Sequence, residues 1–132
     1  MDSRALVFDD DSHFGSLILE VFQMLGIGAK YFPSGAGALE RIRSEKPSVV
    51  VVDIQMPELD GLSICELVRA DPGTAHTRVV VVSGSGFPDA RARAEWARAD
   101  LFLDKPFDVA QFHADLTELL AEPTPSLPGT AA

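Results

Sequence analysis

The chain has 132 residues, of which 46% are hydrophobic and 23% charged, and its net charge is −9. That suits one domain with enough apolar material for a core, which excludes a disordered polymer. The acid excess argues against a direct nucleic-acid surface, and no apolar run is long enough to span a bilayer.

In chain order, Ala5–Phe8 is the first strand and ends at Asp9. Phe14–Leu25 carries apolar residues at helical spacing, and Gly26 stops it. Asp11 and Ser12 read as its cap, because their oxygens can accept from free N–H groups. Ala29–Phe32 is short and half-polar, as an edge strand would be. Gly35–Ser44 is a second helix with Ser34 as its expected cap. Ser48–Val52 is a continuous β-branched run ending at Asp53. Asp60-Gly61 forms a turn into a third helix, Leu62–Arg69. Arg78–Val82 is another β-branched run, ending at Ser83. Pro88–Arg98 is an alanine-rich helix, preceded by Gly84-Ser85-Gly86, which should loosen that loop. Leu101–Leu103 is a brief strand just before Lys105, and Val109–Ala121 is the last helix. The tail, 122–132, holds three prolines and no apolar periodicity, and is expected to be a mobile terminus or the stub of a linker.

Five strands alternating with five helices, with near-continuous valine runs, predict an α/β domain built on a parallel sheet buried on both faces. The order 2-1-3-4-5, a flavodoxin-like doubly wound (βα)5 three-layer sandwich, is the expected solution.

In such a sheet, ligands bind beyond the carboxyl ends of the strands. Asp9 and Asp10 follow strand 1, Asp53 strand 3, Ser83 strand 4 and Lys105 strand 5. The topology therefore predicts three carboxylates, a hydroxyl and an ammonium at one edge. Oxygen ligands of this kind suit Mg²⁺, with Mn²⁺ as an alternative. A carboxylate can attack phosphorus and become an aspartyl-phosphate. Phosphoryl transfer needs positioning and charge neutralisation, which a metal on one side and a lysine on the other would supply.

Four segments carry a resemblance: Leu-Val-Phe-Asp-Asp-Asp (6–11), Val-Val-Asp-Ile-Gln-Met-Pro-Glu-Leu-Asp-Gly (51–61), Val-Val-Val-Val-Ser-Gly (79–84) and Ala-Asp-Leu-Phe-Leu-Asp-Lys-Pro-Phe (99–107). In this order and spacing the chain resembles the receiver domain of two-component response regulators, over residues 3–121, and a receiver unit of 1–121 is expected. The resemblance implies that Asp53 is the phosphoacceptor. Asp10 ligates Mg²⁺ directly, Asp9 helps to hold it, and the Gln55 backbone carbonyl is a further ligand. Lys105 contacts the phosphoryl group, Ser83 is the switch hydroxyl and Phe102 the switch aromatic. The Lys105–Pro106 bond is expected to be cis. Phe102 stands where tyrosine is frequent and Ser83 where threonine is. The Gln55 side chain, beside the acceptor, is expected to tune hydrolysis of the phospho-aspartate.

The implied partners are a sensor histidine kinase or histidine phosphotransfer protein, or a small acyl-phosphate donor. An unidentified output protein would be met on the face of helix 4, strand 5 and helix 5. The chain would be cytoplasmic, without membrane contact, and a monomer or phosphorylation-dependent dimer. It would be a signalling domain that catalyses only its own phosphorylation and dephosphorylation.

Other residues have plainer readings. Cys65 reads as a small packed hydrophobe. His13, His76 and His113 have no metal-ligand spacing and read as surface residues. Arg91, Arg93 and Arg98 read as a solvated helix face that a partner could also use. Trp96 packs on the sheet or sits on that same surface. Three further readings stand beside the leading one. The chain could be the N-terminal receiver of a longer regulator with DNA-binding or enzymatic output. It could be a haloacid-dehalogenase-type phosphatase opening on Asp9-x-Asp11, or a non-phosphorylated adaptor.

Overall fold

A computed structural model describes residues 4–56, 58–84 and 89–121. Its elements alternate: β1 (Arg4–Phe8), α1 (Ser12–Met24), β2 (Gly28–Phe32), α2 (Ala38–Glu45), β3 (Val49–Asp53), α3 (Gly61–Ala70), β4 (Arg78–Ser83), α4 (Ala90–Trp96), β5 (Leu101–Asp104) and α5 (Val109–Ala121). All strand pairings are parallel and the order is β2-β1-β3-β4-β5. The expected doubly wound sandwich is therefore observed, with β2 on an edge.

The valine runs explain the layering. Val49–Val52 and Val79–Val82 are wholly buried, and successive side chains point to opposite faces. Val50, Val52, Val79 and Val81 pack with Leu6 and Phe8 against α2, α3 and α4. Val49, Val51, Val80 and Val82 pack with Ala5 and Val7 against Ile18, Val21 and Phe22 of α1 and Phe112 and Leu116 of α5. Each buried valine contributes about 1.5 kcal/mol or more, so the sheet centre is a rigid platform for its polar rim.

Several helix ends differ from expectation. α1 begins at Ser12, because the Asp11 side chain accepts from the His13 N–H at 2.9 Å. Asp11 alone is thus the cap, and Ser12 is already helical. α2 begins at Ala38 instead of Gly35. Ser34 Oγ accepts from the Ala36 N–H and closes a separate turn, and Gly37, at φ 68°, interrupts the helical path. α4 is shorter than Pro88–Arg98. Asp89 and Arg98 both take positive φ at its two ends, while Pro88 and the Ser85-Gly86 part of the loosened loop lie outside the described residues. So does the tail at 122–132. Among the described residues no helix is long and apolar enough to cross a membrane.

Arg69 ties the far side together. Its guanidinium donates to the carbonyls of Arg98, Ala75 and Thr77 and to Asp100 Oδ2 at 2.7 Å. Asp100 Oδ2 also accepts from the Val79 N–H, so the end of α3, the start of β4 and the α4–β5 link are held by one side chain.

Candidate active site

β3 ends inside the molecule. Asp53 pairs opposite Val82 as the last residue of β3 and is 3% exposed. α3 presses on it from below: a Cβ at Gly61 would collide with the Asp53 carbonyl oxygen. Gly61 therefore permits a close approach, and Asp60 caps α3 by accepting from the Ser63 N–H at 2.9 Å. The structural reading of Asp60-Gly61 holds.

Asp9 follows β1 and is 1% exposed. Its Oδ1 accepts from the Asp11 N–H at 2.9 Å and from Lys105 Nζ at 3.1 Å. Lys105 also donates to Asp53 Oδ2 at 3.2 Å. Asp10 is exposed. Asp9, Asp10 and Asp53 each offer an oxygen within 4.8 Å of the others. The side chains read from strands 1, 3 and 5 thus meet at one edge.

Electrostatics here are strained in one direction. Burial, and then the like charge of Asp9, pushes the Asp53 carboxyl from its ordinary 3.8 up to about 7. Burial pulls the Lys105 ammonium down, but Asp9 and Asp53 outweigh it and leave the group more basic than usual. Asp9 Oδ2 is the one buried side-chain polar atom without a hydrogen-bond partner among the described residues. An unpartnered buried carboxylate oxygen is costly. A hard cation would satisfy it, and an all-oxygen donor set fits Mg²⁺ or Mn²⁺.

Of the remaining expected residues, Ser83 and Gln55 adjoin this cluster through backbone hydrogen bonds, the Ser83 carbonyl accepting from the Lys105 N–H. Ser83, last in β4, is buried, and its hydroxyl donates to the Gly84 carbonyl at 3.0 Å. Gln55 is exposed beyond β3; its N–H donates to Asp53 Oδ1 at 3.3 Å, and its side-chain oxygen lies toward Gly84. Phe102 is half-buried in β5, with the Arg91 guanidinium 4.6 Å above its ring. The Lys105–Pro106 bond is cis. Cys65 is buried in the core, where burial pushes its thiol up to about 11 and its Sγ donates to the Ala97 carbonyl. Trp96 is 84% exposed, on the surface and not on the sheet.

Two aromatic residues at the site were not singled out from the sequence. Phe14 of α1 places its ring 4.6 Å from Lys105 Nζ. Tyr31 of β2 donates its hydroxyl to the Asp9 backbone carbonyl at 2.6 Å. Burial, then the charges of Asp9, Asp10 and Asp11, make that phenol harder to ionise. Asp11, the second acid of the Asp9-x-Asp11 phosphatase reading, caps α1, and the acids that gather with Asp9 are Asp10 and Asp53.

Comparison with known proteins agrees with the geometry. Residues 5–117 match the family model for the response regulator receiver domain. The chain is 31% identical over 125 residues to the response regulator MprA of Mycolicibacterium vanbaalenii, a match covering 95% of this chain and 53% of that protein. It is 27% identical over 117 residues to the DNA-binding dual master transcriptional regulator RpaA of Synechocystis, covering 89% and 48%. The chain thus spans about half the length of these curated relatives. The receiver domain of the Francisella response regulator 1452 superposes with a TM-score of 0.79 at 27% identity, over 91% of this chain and 98% of that one. With its motifs, its sheet order and its family match all in accord, the chain belongs to the response regulator receiver domains of two-component signalling.

Proposed function

We propose that the chain accepts a phosphoryl group on Asp53 from a histidine kinase or phosphotransfer protein, or from a small acyl phosphate. Asp9, Asp10, Asp53 and the Gln55 carbonyl would hold Mg²⁺. Bound there, the ion would neutralise charge on the phosphoryl oxygens. Asp53 supplies the attacking carboxylate oxygen: a phosphorus–oxygen bond forms as the bond to the donor imidazole breaks, and the imidazole keeps its electron pair. Lys105 would stay within reach of the incoming group and balance its charge from the side of β5. Ser83 would turn its hydroxyl from Gly84 toward the phosphoryl oxygens, and Phe102 would follow, repacking the α4–β5–α5 face for an output protein.

The observation that carries this reading is the meeting of Asp9, Asp10 and Asp53, with Lys105 bridging Asp9 and Asp53 and a buried carboxylate oxygen left for a cation. The test is intact-mass measurement after incubation with an acyl phosphate and Mg²⁺. One phosphoryl mass gain is expected, absent in Asp53→Asn and without Mg²⁺. No gain in the wild-type chain would favour the adaptor reading.

Residues 1–121 would form the receiver unit, followed by a tail. That the chain spans about half of its relatives favours a second reading, a receiver preceding an output domain. Any DNA contact would then belong to that output part, not to this acidic unit.

A further inference from the structure

Asp10 is the exposed member of the acidic cluster, and its carboxylate accepts no hydrogen bond from the described residues. Its aim is therefore set by the backbone of the β1–α1 turn. That turn is held from the neighbouring edge strand. β2 pairs with β1 in the register Phe8 to Phe32, and the Asp9 N–H continues the ladder by donating to the Phe32 carbonyl at 3.1 Å. On the other side of the same residue, the Asp9 carbonyl accepts the Tyr31 hydroxyl at 2.6 Å. That carbonyl belongs to the peptide plane joining Asp9 to Asp10. Fixing its direction fixes where the Asp10 Cα, and so its side chain, can point.

The ring reaches this place only because α1 makes room. A Cβ at Gly15 would run into the Tyr31 ring. Glycine inside a helix is unfavourable by about 0.5–1 kcal/mol relative to alanine, and Gly15 is buried in the first turns of α1. An edge-strand phenol and a helix glycine thus form one device, built around a single backbone carbonyl.

We propose that Tyr31, seated by Gly15, is a positioning residue that orients the Asp9–Asp10 peptide and thereby sets the affinity of the acidic cluster for a divalent cation. The proposal rests on the reading of that cluster as a cation site.

Mn²⁺ alone is the probe, bound to the full chain and followed by electron paramagnetic resonance, with Mg²⁺ competition. Tyr31→Phe removes only the hydroxyl. Hydrogen-bonding partners behind a metal ligand set affinity by about ten-fold or more, so Mn²⁺ binding should weaken by about ten-fold and the line shape of the bound ion should broaden. Thr74→Val, which removes a buried hydrogen bond to the Val68 carbonyl away from the site, is the stability control and should leave both unchanged. Gly15→Ala should weaken Mn²⁺ in the wild-type background and add nothing in Tyr31→Ala, which also serves should Tyr31→Phe fail to fold. Unchanged affinity in Tyr31→Phe, or in Gly15→Ala, overturns the proposal. Wild-type binding that Asp10→Asn does not affect would instead sink the cation-site reading, and the proposal with it.

Discussion

Asp9 and Asp53 share one ammonium: Lys105 Nζ lies 3.1 Å from the first carboxylate and 3.2 Å from the second. The three residues come from strand ends that are distant in sequence, and all are nearly buried. Two carboxylates at this range are tolerable only while a cation stands between them or one of them keeps a proton.

Replacing Lys105 by methionine keeps the aliphatic stem and removes that cation. Stability should fall by about 2 kcal/mol, because two carboxylates are left facing each other. Mg²⁺ should then raise the melting temperature more in the variant than in the wild type, since it supplies the missing positive charge. Phosphorylation of Asp53 by an acyl phosphate should slow by about 100-fold. Calorimetry with and without Mg²⁺, and timed intact-mass spectra, measure these effects.

The Asp53 carboxyl gives a pH dependence of unusual sign. Its pKa is raised to about 7 by burial and by Asp9, so between the unfolded value and neutrality the native state holds a proton that the unfolded chain has lost. Its contribution to stability is present at low pH and is lost as pH rises toward about 7, then stays level. Melting of the metal-free protein should show this falling component, and Asp53→Asn should remove it. A cation competes with the same proton, so Mg²⁺ affinity should rise by up to about ten-fold per pH unit below neutrality and flatten above it.

Gln55 is exposed at the mouth of the site, its side-chain oxygen toward Gly84. If Asp53 is phosphorylated as proposed, water attacking the phospho-aspartate would pass this side chain. Gln55→Ala should change the half-life of the phosphorylated protein by about three-fold, roughly 0.7 kcal/mol in the barrier. Equal half-lives would remove this role.

Arg69 is a test of scaffold without chemistry. Its four acceptors lie on two chain segments, 75–77 and 98–100, and its side chain is 10% exposed. Arg69→Met should cost about 2–3 kcal/mol in urea unfolding. Arg69→Lys should recover only part of it, because an ammonium cannot reproduce the planar fork. Mg²⁺ affinity should not move in either.

The parts of this molecule that were legible in the sequence are those written locally. The two valine tetrads announce strands buried on both faces, and the polar residues that end each run fall at one edge by topology alone. Boundaries were less legible where local chemistry competes: Ser34 closes a turn of its own, and Gly37 resets the start of α2. Tyr31 and Arg69 were not legible, because their roles depend on which segments become neighbours. Tyr31 looked like one ring on a half-polar edge strand. A glycine in the apolar stretch of the first helix was the available signal, since such a residue implies that something comes close. Arg69 had no signal, its acceptors being mostly backbone carbonyls.

Gly61 has a bearing on how this chain could be redesigned. α3 rests its first residue against the Asp53 carbonyl, with no space for even a methyl group. Transplanting Asp9, Asp10, Asp53 and Lys105 to another α/β scaffold would therefore fall short unless the recipient's helix could dock as tightly. The identity of one side-chain-free position is part of the blueprint of the acidic cluster, although it contributes no polar side chain to it.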